Sequence, residues 1–368
     1  MTEPESLQFL GVNQVRGRGR PLLYFSGCDY YRFARDPALA RAMRVSLAEH
    51  GLNVAASRAT TGNHKIYGQL EKELAGFFGA EAALIMPDGY LAPVAAAQSL
   101  AGEFTHAWVD EFAHGALADA ARMLECPVKQ FKHHHAADLA RRISKCGRTA
   151  RHIVLTDGMF SHDGSVAPLR DYLKILPARG IVLVDDAHGA GVVGATGRGS
   201  LEHEGVGRER IVQCVTLSKA FGVYGGAVLA SRAQRDRIVE RSRSFTGTTP
   251  LPPPLAGAAL AALKQMRGSA ARRKALLQNV FLVRTKLTGA GWALSETPGP
   301  IVRLPVMSGP EANLLKKRLL AAGIYPPFLR YGAASAQGAF RFVISSEHTR
   351  RQLKCLIAAL VSFKSRRD

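Results

Sequence analysis

Short apolar runs recur between residues 82 and 230, most of them ending in a glycine- or hydroxyl-bearing turn. They predict strands at 82–86, 105–109, 128–131, 153–155, 181–185, 211–217 and 227–230, with helical segments between most of them. Ahead of them, residues 37–48 place Leu39, Met43 and Leu47 on one helical face. Residues 67–79 read as an amphipathic helix closed by Gly79. Such alternation predicts an α/β fold: a mainly parallel sheet with helices on both faces. Ligands of such sheets sit beyond the carboxyl ends of the strands.

The pattern changes after Arg243. A Gly/Thr/Pro loop at 246–254 leads into helices at 255–266 and 272–287. A smaller α+β unit follows, with strands at 301–306 and 340–345 and helices at 311–322 and 348–363. Residues 1–36 read as an extended arm with a short strand at 22–25. The expected organisation is an N-terminal arm and helix (1–50) packing with a smaller C-terminal domain (246–368), around a large domain (51–245).

Composition narrows the class. With 47% hydrophobic and 21% charged residues among 368, the chain is ordinary for a globular protein. No apolar stretch approaches the ~20 residues of a membrane span. The start, Met1 to Glu5, is acidic and lacks the apolar core of a secretory signal. The five cysteines are scattered, without CxxC or zinc-like spacing. A reduced, cytoplasmic protein without a bound metal is expected. The net charge of +20 is spread out, as in Arg16-Arg18-Arg20, Lys316-Lys317-Arg318 and Lys364-Arg366-Arg367. No nucleic-acid-binding pattern accompanies it. A positive field of this kind suits solvated faces, or a polyanionic substrate such as an acyl-CoA or an acidic carrier protein.

The chemistry gathers at strand ends. Cys214-Val215-Thr216-Leu217-Ser218-Lys219 closes an apolar run with two hydroxyls and one lysine, and a Gly-rich segment follows. A lysine withdrawn from water is a usable amine nucleophile and Schiff-base former. The plainer alternative is a stem lying along the sheet with its head in water. Asp185-Asp186-Ala187-His188 ends another run. Paired acids there suit a metal, a structural pair, or a carboxylate facing a heterocyclic cation such as a protonated pyridine. Asp157 to Gly164 opens a Gly-rich loop bearing Ser161. Asp88-Gly89-Tyr90 stands at a predicted helix N-terminus, a natural phosphate site. His114 begins another helix. His133-His134-His135 invites a metal reading, but three consecutive residues cannot face one point on a strand.

In order and spacing these segments resemble the α-oxoamine synthase family, pyridoxal-phosphate (PLP) enzymes of the type I aminotransferase fold. The likeness runs from about Tyr24 to the C-terminus. It rests on Asp29-Tyr30, Gly62 with Leu70-Glu71, Gly89-Tyr90, His114, Phe160 to Gly164, Asp185 to Gly189, Gly197-Arg198-Gly199, Thr216 to Gly222, and Arg341 before Ser345-Ser346-Glu347-His348. The resemblance implies that Lys219 holds PLP as a Schiff base and later moves the substrate α-proton. It implies Asp185 on the pyridine nitrogen, His188 on the phenolic oxygen and His114 stacked on the ring. Gly89, Tyr90, Ser161 and Thr216 would hold the phosphate, with Thr248 or Thr249 arriving from a second subunit of a homodimer. Arg341 would grip the amino-acid carboxylate, near Cys28 and Tyr30.

The implied activity is condensation of an amino acid with an acyl thioester, usually decarboxylative, of the 8-amino-7-oxononanoate synthase kind. Alternatives are glycine C-acetyltransferase or another family activity; a PLP aldolase, racemase or aminotransferase using no thioester; and a non-catalytic basic binding protein. Departures from the family pattern fall mostly on the substrate side. Cys28 stands for a common Asn, Tyr67 for a His, Asp157 for a Glu, His134-His135 for Asn-Asp, and Asp88 for a Ser beside the phosphate, where a carboxylate repels unless it points away and caps the helix. The segment 326–338, with Phe328, Arg330 and Tyr331, does not match the usual substrate-side loop.

Overall fold

The computed structural model describes residues 6–17, 19–330 and 337–365. Arg18, Tyr331 and the pair Arg366-Arg367 lie outside the described residues, as does most of the C-terminal half of the 326–338 segment. Two compact units are present. The larger comprises Phe33–Ser161 and Val166–Ala270, and the smaller Met1–Arg32, His162–Ser165 and Ala271–Asp368.

The smaller unit contains two antiparallel sheets. One is a meander of β1 (Gln8–Gly11), β2 (Gln14–Gly17) and β3 (Arg20–Leu23), in that order. The arm is therefore more structured than an extended chain with one strand. The larger unit is built on β4 (Ala82–Met86), β5 (His106–Asp110), β6 (Val128–Phe131), β7 (His152–Asp157), β8 (Ile181–Asp185), β9 (Ile211–Thr216) and β10 (Gly226–Ala230). The second small sheet holds β11 (Ile301–Arg303), β12 (Phe328–Leu329) and β13 (Ala339–Val343) in the order β11-β13-β12.

The seven-stranded sheet has the order β4-β10-β9-β8-β7-β5-β6. Strands β5 to β9 pair in parallel, and β10 runs antiparallel to both neighbours. All seven lie near the predicted positions, which follows from their burial. Strands β7, β9 and β10 are buried along their whole length, so they read as continuous apolar runs rather than alternating ones.

The pleat sorts their side chains between two cores. Leu84, Met86, Val109, Ile153, Leu155, Leu183, Cys214 and Val228 share one apolar cluster with the alanines of the helices Leu91–Ser99 and Gly115–Arg122. Trp108, Val154, Val182, Val184 and Ile211 share the other. Because successive strand residues point to opposite faces, Asp157, Asp185 and Thr216 fall on the first face. His106, Asp110 and His152 fall on the second.

The helix Pro253–Arg267 lies in the larger unit, where the change of composition at residue 246 had suggested a domain boundary. Its partner is the helix Pro37–His50, and the Ser46 hydroxyl donates to Pro253 O at 2.8 Å. An alanine-rich face on one helix meets small side chains on the other, and that packing holds both helices to the large sheet's unit.

A buried ion pair fixes the helix Lys65–Phe78 to β4. Arg58 donates through both Nη1 and Nη2 to Glu71, and Glu71 Oε1 also accepts the Ile85 N–H at 2.9 Å. The guanidinium lies over the rings of Tyr67 and Phe245, at 5.2 and 5.5 Å. Removing one partner strands a charge in the interior. Glu71→Ala is expected to cost about 3–5 kcal/mol of stability. Arg122→Ala, which cuts the exposed pair with Asp119, is expected to cost under about 1 kcal/mol. Thermal melts of the two variants side by side check this, and equal losses would refute the buried pair's importance.

Candidate active site

A cavity of about 290 Å³ opens at the carboxyl edge of the parallel strands. It is lined by Asp88, Gly89, Tyr90, His114, Ala116, Asp157, Asp185, Ala187, His188, Thr216, Ser218, Lys219 and Tyr224. Eight of the residues singled out in the sequence therefore meet in one place: Lys219, Asp185, His188, His114, Gly89, Tyr90, Thr216 and Asp88. The volume is at the lower end of the ~300–1,000 Å³ range of small-molecule sites.

Each side chain is positioned by its element. Asp157 and Asp185 stand opposite each other in the β7–β8 register. Asp185 Oδ1 accepts the Ala187 N–H at 3.1 Å. Asp157 Oδ2 accepts the His114 N–H at 2.9 Å, and His114 Nδ1 in turn accepts from Ala116 N at 3.2 Å, capping the helix Gly115–Arg122. The imidazole is thus fixed at both its backbone and its ring. Tyr90 meets it edge to face, with centroids 6.1 Å apart. Thr216 Oγ1 donates to Gly225 O at 3.1 Å and accepts from Ser218 N at 3.2 Å, which shapes the turn leading to Lys219. A Cβ on Gly89 would lie 2.6 Å from Thr216 Cβ, so glycine is what allows that loop to close against β9.

The electrostatics are those of a dry pocket holding carboxyls. Burial pushes Asp157 well above the usual carboxylate range, reinforced by the neighbouring Asp185 and opposed by the His114 N–H. Asp185 is raised by burial too, but Lys219, His114 and the Ala187 amide oppose the rise. The rise is the stronger at Asp157 and the better opposed at Asp185. Burial lowers His114, and Lys219 lowers it further against the pull of Asp185. The ring facing the cavity is therefore neutral.

Asp186 has a different task. Its Oδ2 accepts the Ser200 N–H at 2.8 Å and the Gln213 Nε2 at 2.7 Å. The paired acids thus diverge, one into the cavity and one into the protein, and they form no metal site together. Gly158, Gly189 and Gly199 crowd the Asp186 carboxylate so closely that a Cβ on any of them would come within 2.3 Å of an oxygen.

Asp88, a carboxylate where a phosphate is expected, accepts the Leu91 N–H at 2.8 Å and the Tyr224 hydroxyl at 3.3 Å. It is committed to the start of the helix Leu91–Ser99. Asp157, Ser218, Ala116 and Tyr224 line the cavity without a role having been assigned from sequence. For Asp157 the signal was there: a strand-end acid one strand away from Asp185.

Other candidates lie elsewhere. Ser161 is half-buried and outside the cavity lining. Thr248 Oγ1 donates to Ser244 O at 2.7 Å and Thr249 is exposed; neither lines this chain's cavity. Cys28, Tyr30 and Arg341 belong to the smaller unit, where Arg341 Nη2 is 3.4 Å from Cys28 Sγ. Burial raises the Tyr30 hydroxyl well above the ordinary tyrosine value. Of the histidines 133–135, the first two stack ring on ring with centroids 3.8 Å apart, His133 Nδ1 facing Asp110 Oδ1 at 2.9 Å, while His135 Nδ1 accepts from Asp138 N at 3.0 Å.

With this geometry in view, the comparisons with known proteins are decisive. The aminotransferase class I and II family model matches residues 29–360. The chain belongs to that family. An 8-amino-7-oxononanoate synthase of Thioalkalivibrio sulfidiphilus is 36% identical over 349 residues, covering 93% of this chain and 88% of that protein. One of Methylococcus capsulatus is 34% identical over 349 residues, covering 93% and 89%. Among solved structures, a Sphingomonas wittichii serine palmitoyltransferase superposes with a TM-score of 0.91 at 25% identity, covering 97% of this chain and 90% of that one. The family's type I fold is thus present from the arm to the last helix.

Asp186 allows a test of the site's foundation. Burial raises its carboxyl to about 7, against the lowering from Ser200 and Gln213. A raised acid holds its proton longer folded than unfolded, so its ionisation opposes folding. Its contribution to stability falls as pH rises from the ordinary carboxylate value of ~4 to about 7, and is flat above that. Comparing melting temperatures of wild type and Asp186→Asn, the variant is expected to gain on the wild type between pH 5 and pH 8. A pH-independent difference would contradict this.

Proposed function

We propose that the chain is a PLP-dependent acyltransferase joining an amino acid to an acyl thioester, with loss of carbon dioxide, to give an α-amino ketone. The reaction is of the 8-amino-7-oxononanoate synthase kind, with L-alanine and a pimeloyl thioester as substrates. One observation carries this reading: curated 8-amino-7-oxononanoate synthases are 30–36% identical to the chain over 93–95% of its length.

The residues present fit the cofactor. Asp185 is a buried carboxylate whose charge is opposed by desolvation, so a protonated ring nitrogen beside it would supply the counter-charge that water cannot. Lys219 Nζ would hold the cofactor's aldehyde carbon. The neutral His114 ring would lie against the pyridine, and His188 would stand by the phenolic oxygen. The N-terminal turn at Gly89 and Tyr90, with Ser161 and Thr216, would hold the phosphate. Thr248 and Thr249 would complete that site from a second copy of the chain, giving a homodimer with shared sites.

When bound, PLP supplies a protonated pyridine ring that accepts the electron pair left at the substrate's α-carbon. The chain's residues do the rest. Asp185 would keep that ring protonated. Asp157 fixes His114 by accepting its backbone N–H. Lys219 Nζ would be the base that takes the α-proton. Arg341, with Cys28 and Tyr30, would receive the amino-acid carboxylate. The net charge of +20 draws in a polyanionic thioester, acyl-CoA or acyl-carrier protein. Among the described residues no helix is long and apolar enough to cross a membrane, and a cytoplasmic enzyme is the reading adopted.

The test uses purified protein loaded with PLP, following free thiol from pimeloyl-CoA with L-alanine. Wild type is expected to release thiol only when both substrates are present. Lys219→Ala should lose the visible absorbance of lysine-bound cofactor and at least ~10²-fold in rate. A keto acid formed with no thioester dependence would overturn the acyltransferase reading. Thiol release with another amino acid but not alanine would overturn only the substrate.

A further inference from the structure

At the opposite edge of the large sheet, on its other face, three ligand-type side chains converge. His106 is the first residue of β5, His152 the first of β7, and they are partners in the parallel register. Cys146 comes from the loop after the helix Ala136–Ile143 and packs against the same apolar cluster as Trp108 and Val154. One ligand atom from each lies within 4.8 Å of the other two. His152 is buried, and the other two are half-buried. None of the three lines the cavity that holds Lys219.

We propose that His106, Cys146 and His152 form a site for a borderline-soft divalent metal of the zinc class, with water as fourth ligand. Two imidazoles and a thiolate are a zinc-type donor set. Tetrahedral zinc at the usual bond lengths separates its ligand atoms by about 3.3–3.8 Å. Closing the cluster from its present span therefore asks for side-chain adjustment of about an ångström, with no movement of strands. The half-buried position of Cys146, followed by Gly147, leaves a path from solvent.

The surroundings prepare two of the ligands. Thr105 Oγ1 accepts the Arg151 N–H at 2.9 Å and lies 2.9 Å from His106 Nδ1 and 3.2 Å from Arg151 O. With its hydroxyl proton on Arg151 O, it accepts a proton from His106 Nδ1 and leaves Nε2 its lone pair, the usual arrangement of a ligating histidine. Cys146 Sγ has only a long contact to Arg142 O, at 3.6 Å. The basic side chains nearby are directed to other groups: Arg142 Nε to Asp138 at 2.7 Å and Arg151 Nη2 to Gly102 O at 3.3 Å.

His152 sets the cost. The Trp108 indole N–H donates to its Nδ1 at 3.1 Å, so the ring proton resides on Nε2. Metal taken through Nε2 moves that proton to Nδ1 and breaks the indole bond, while the Cys146 thiol proton leaves to solvent. Trp108 is therefore both competitor and reporter. Its ring also lies parallel to His106, with centroids 5.9 Å apart and planes 9° apart.

The experiment strips PLP-loaded protein with a chelator and titrates Zn²⁺ against a chromophoric competitor, following tryptophan emission and melting temperature. One Zn²⁺ per chain, changed emission and a raised melting temperature are expected. Cys146→Ser should bind at least ~10-fold more weakly, and Trp108→Phe more tightly, because the competing bond is gone. Zinc-edge absorption on the wild type should show one sulfur ligand, a readout that needs no variant to fold. Equal zinc affinity in wild type and Cys146→Ser, or a zinc shell without sulfur, would overturn the proposal.

Discussion

A carboxylate can be buried only if something answers its charge, and β8 ends in two of them. Asp186 is held from within: Ser200 N–H and Gln213 Nε2 converge on one of its oxygens and three glycines make the room, which limits but does not cancel the rise that burial imposes. Asp185 has the Ala187 amide, with Lys219 and His114 opposing its rise. The first carboxylate holds the strand end to its neighbours and so fixes where the second must point. Everything proposed for the cavity depends on that division. A residue bonded into the interior and a residue facing the cavity stand next to each other and are chemically identical.

The parallel sheet multiplies the effect. Strands β5, β7, β8 and β9 all end at one edge, and the pleat sends Asp157, Asp185 and Thr216 to a single face. On that face the helices Leu91–Ser99 and Gly115–Arg122 bring their N-terminal turns, with Gly89, Tyr90 and His114, to the same point. The alanines that fill those helices let them lie close to the sheet. The site is thus a consequence of strand direction and residue parity before any side chain is considered.

This also explains what was legible in the sequence. Strands buried on both faces leave apolar runs that mark themselves, and strand-end polar residues stand out against them. Lys219, Asp185 and His188 were visible for that reason. The separate tasks of Asp185 and Asp186 were not, because spacing cannot say which oxygen meets Gln213. For Asp88 the sequence left two options, repelling a phosphate or capping the helix, and its bond to Leu91 N decides for the cap. The helix Pro253–Arg267 was expected with the smaller domain because loop composition changes ahead of it, whereas its packing on Pro37–His50 involves residues some two hundred positions earlier.

The His106–Cys146–His152 cluster is the sharper case. Spacing rules for metal sites detect ligands that lie on one turn or one hairpin, where a few intervening residues fix the distance. Here the ligands come from two strand starts and a loop, and the constraint that joins them is the β5–β7 register. A parallel sheet has two edges, and each collects residues from strands far apart in the chain. The carboxyl edge carries the helix N-termini and their positive ends, which favour anions such as a phosphate. The amino edge receives helix C-termini and the loops that follow them, whose carbonyl ends favour cations. Cys146 arrives on such a loop, after the C-terminus of Ala136–Ile143. The same topology that makes one edge suited to a phosphate-bearing cofactor therefore makes the other suited to a cation, and the side chains present at each match that polarity.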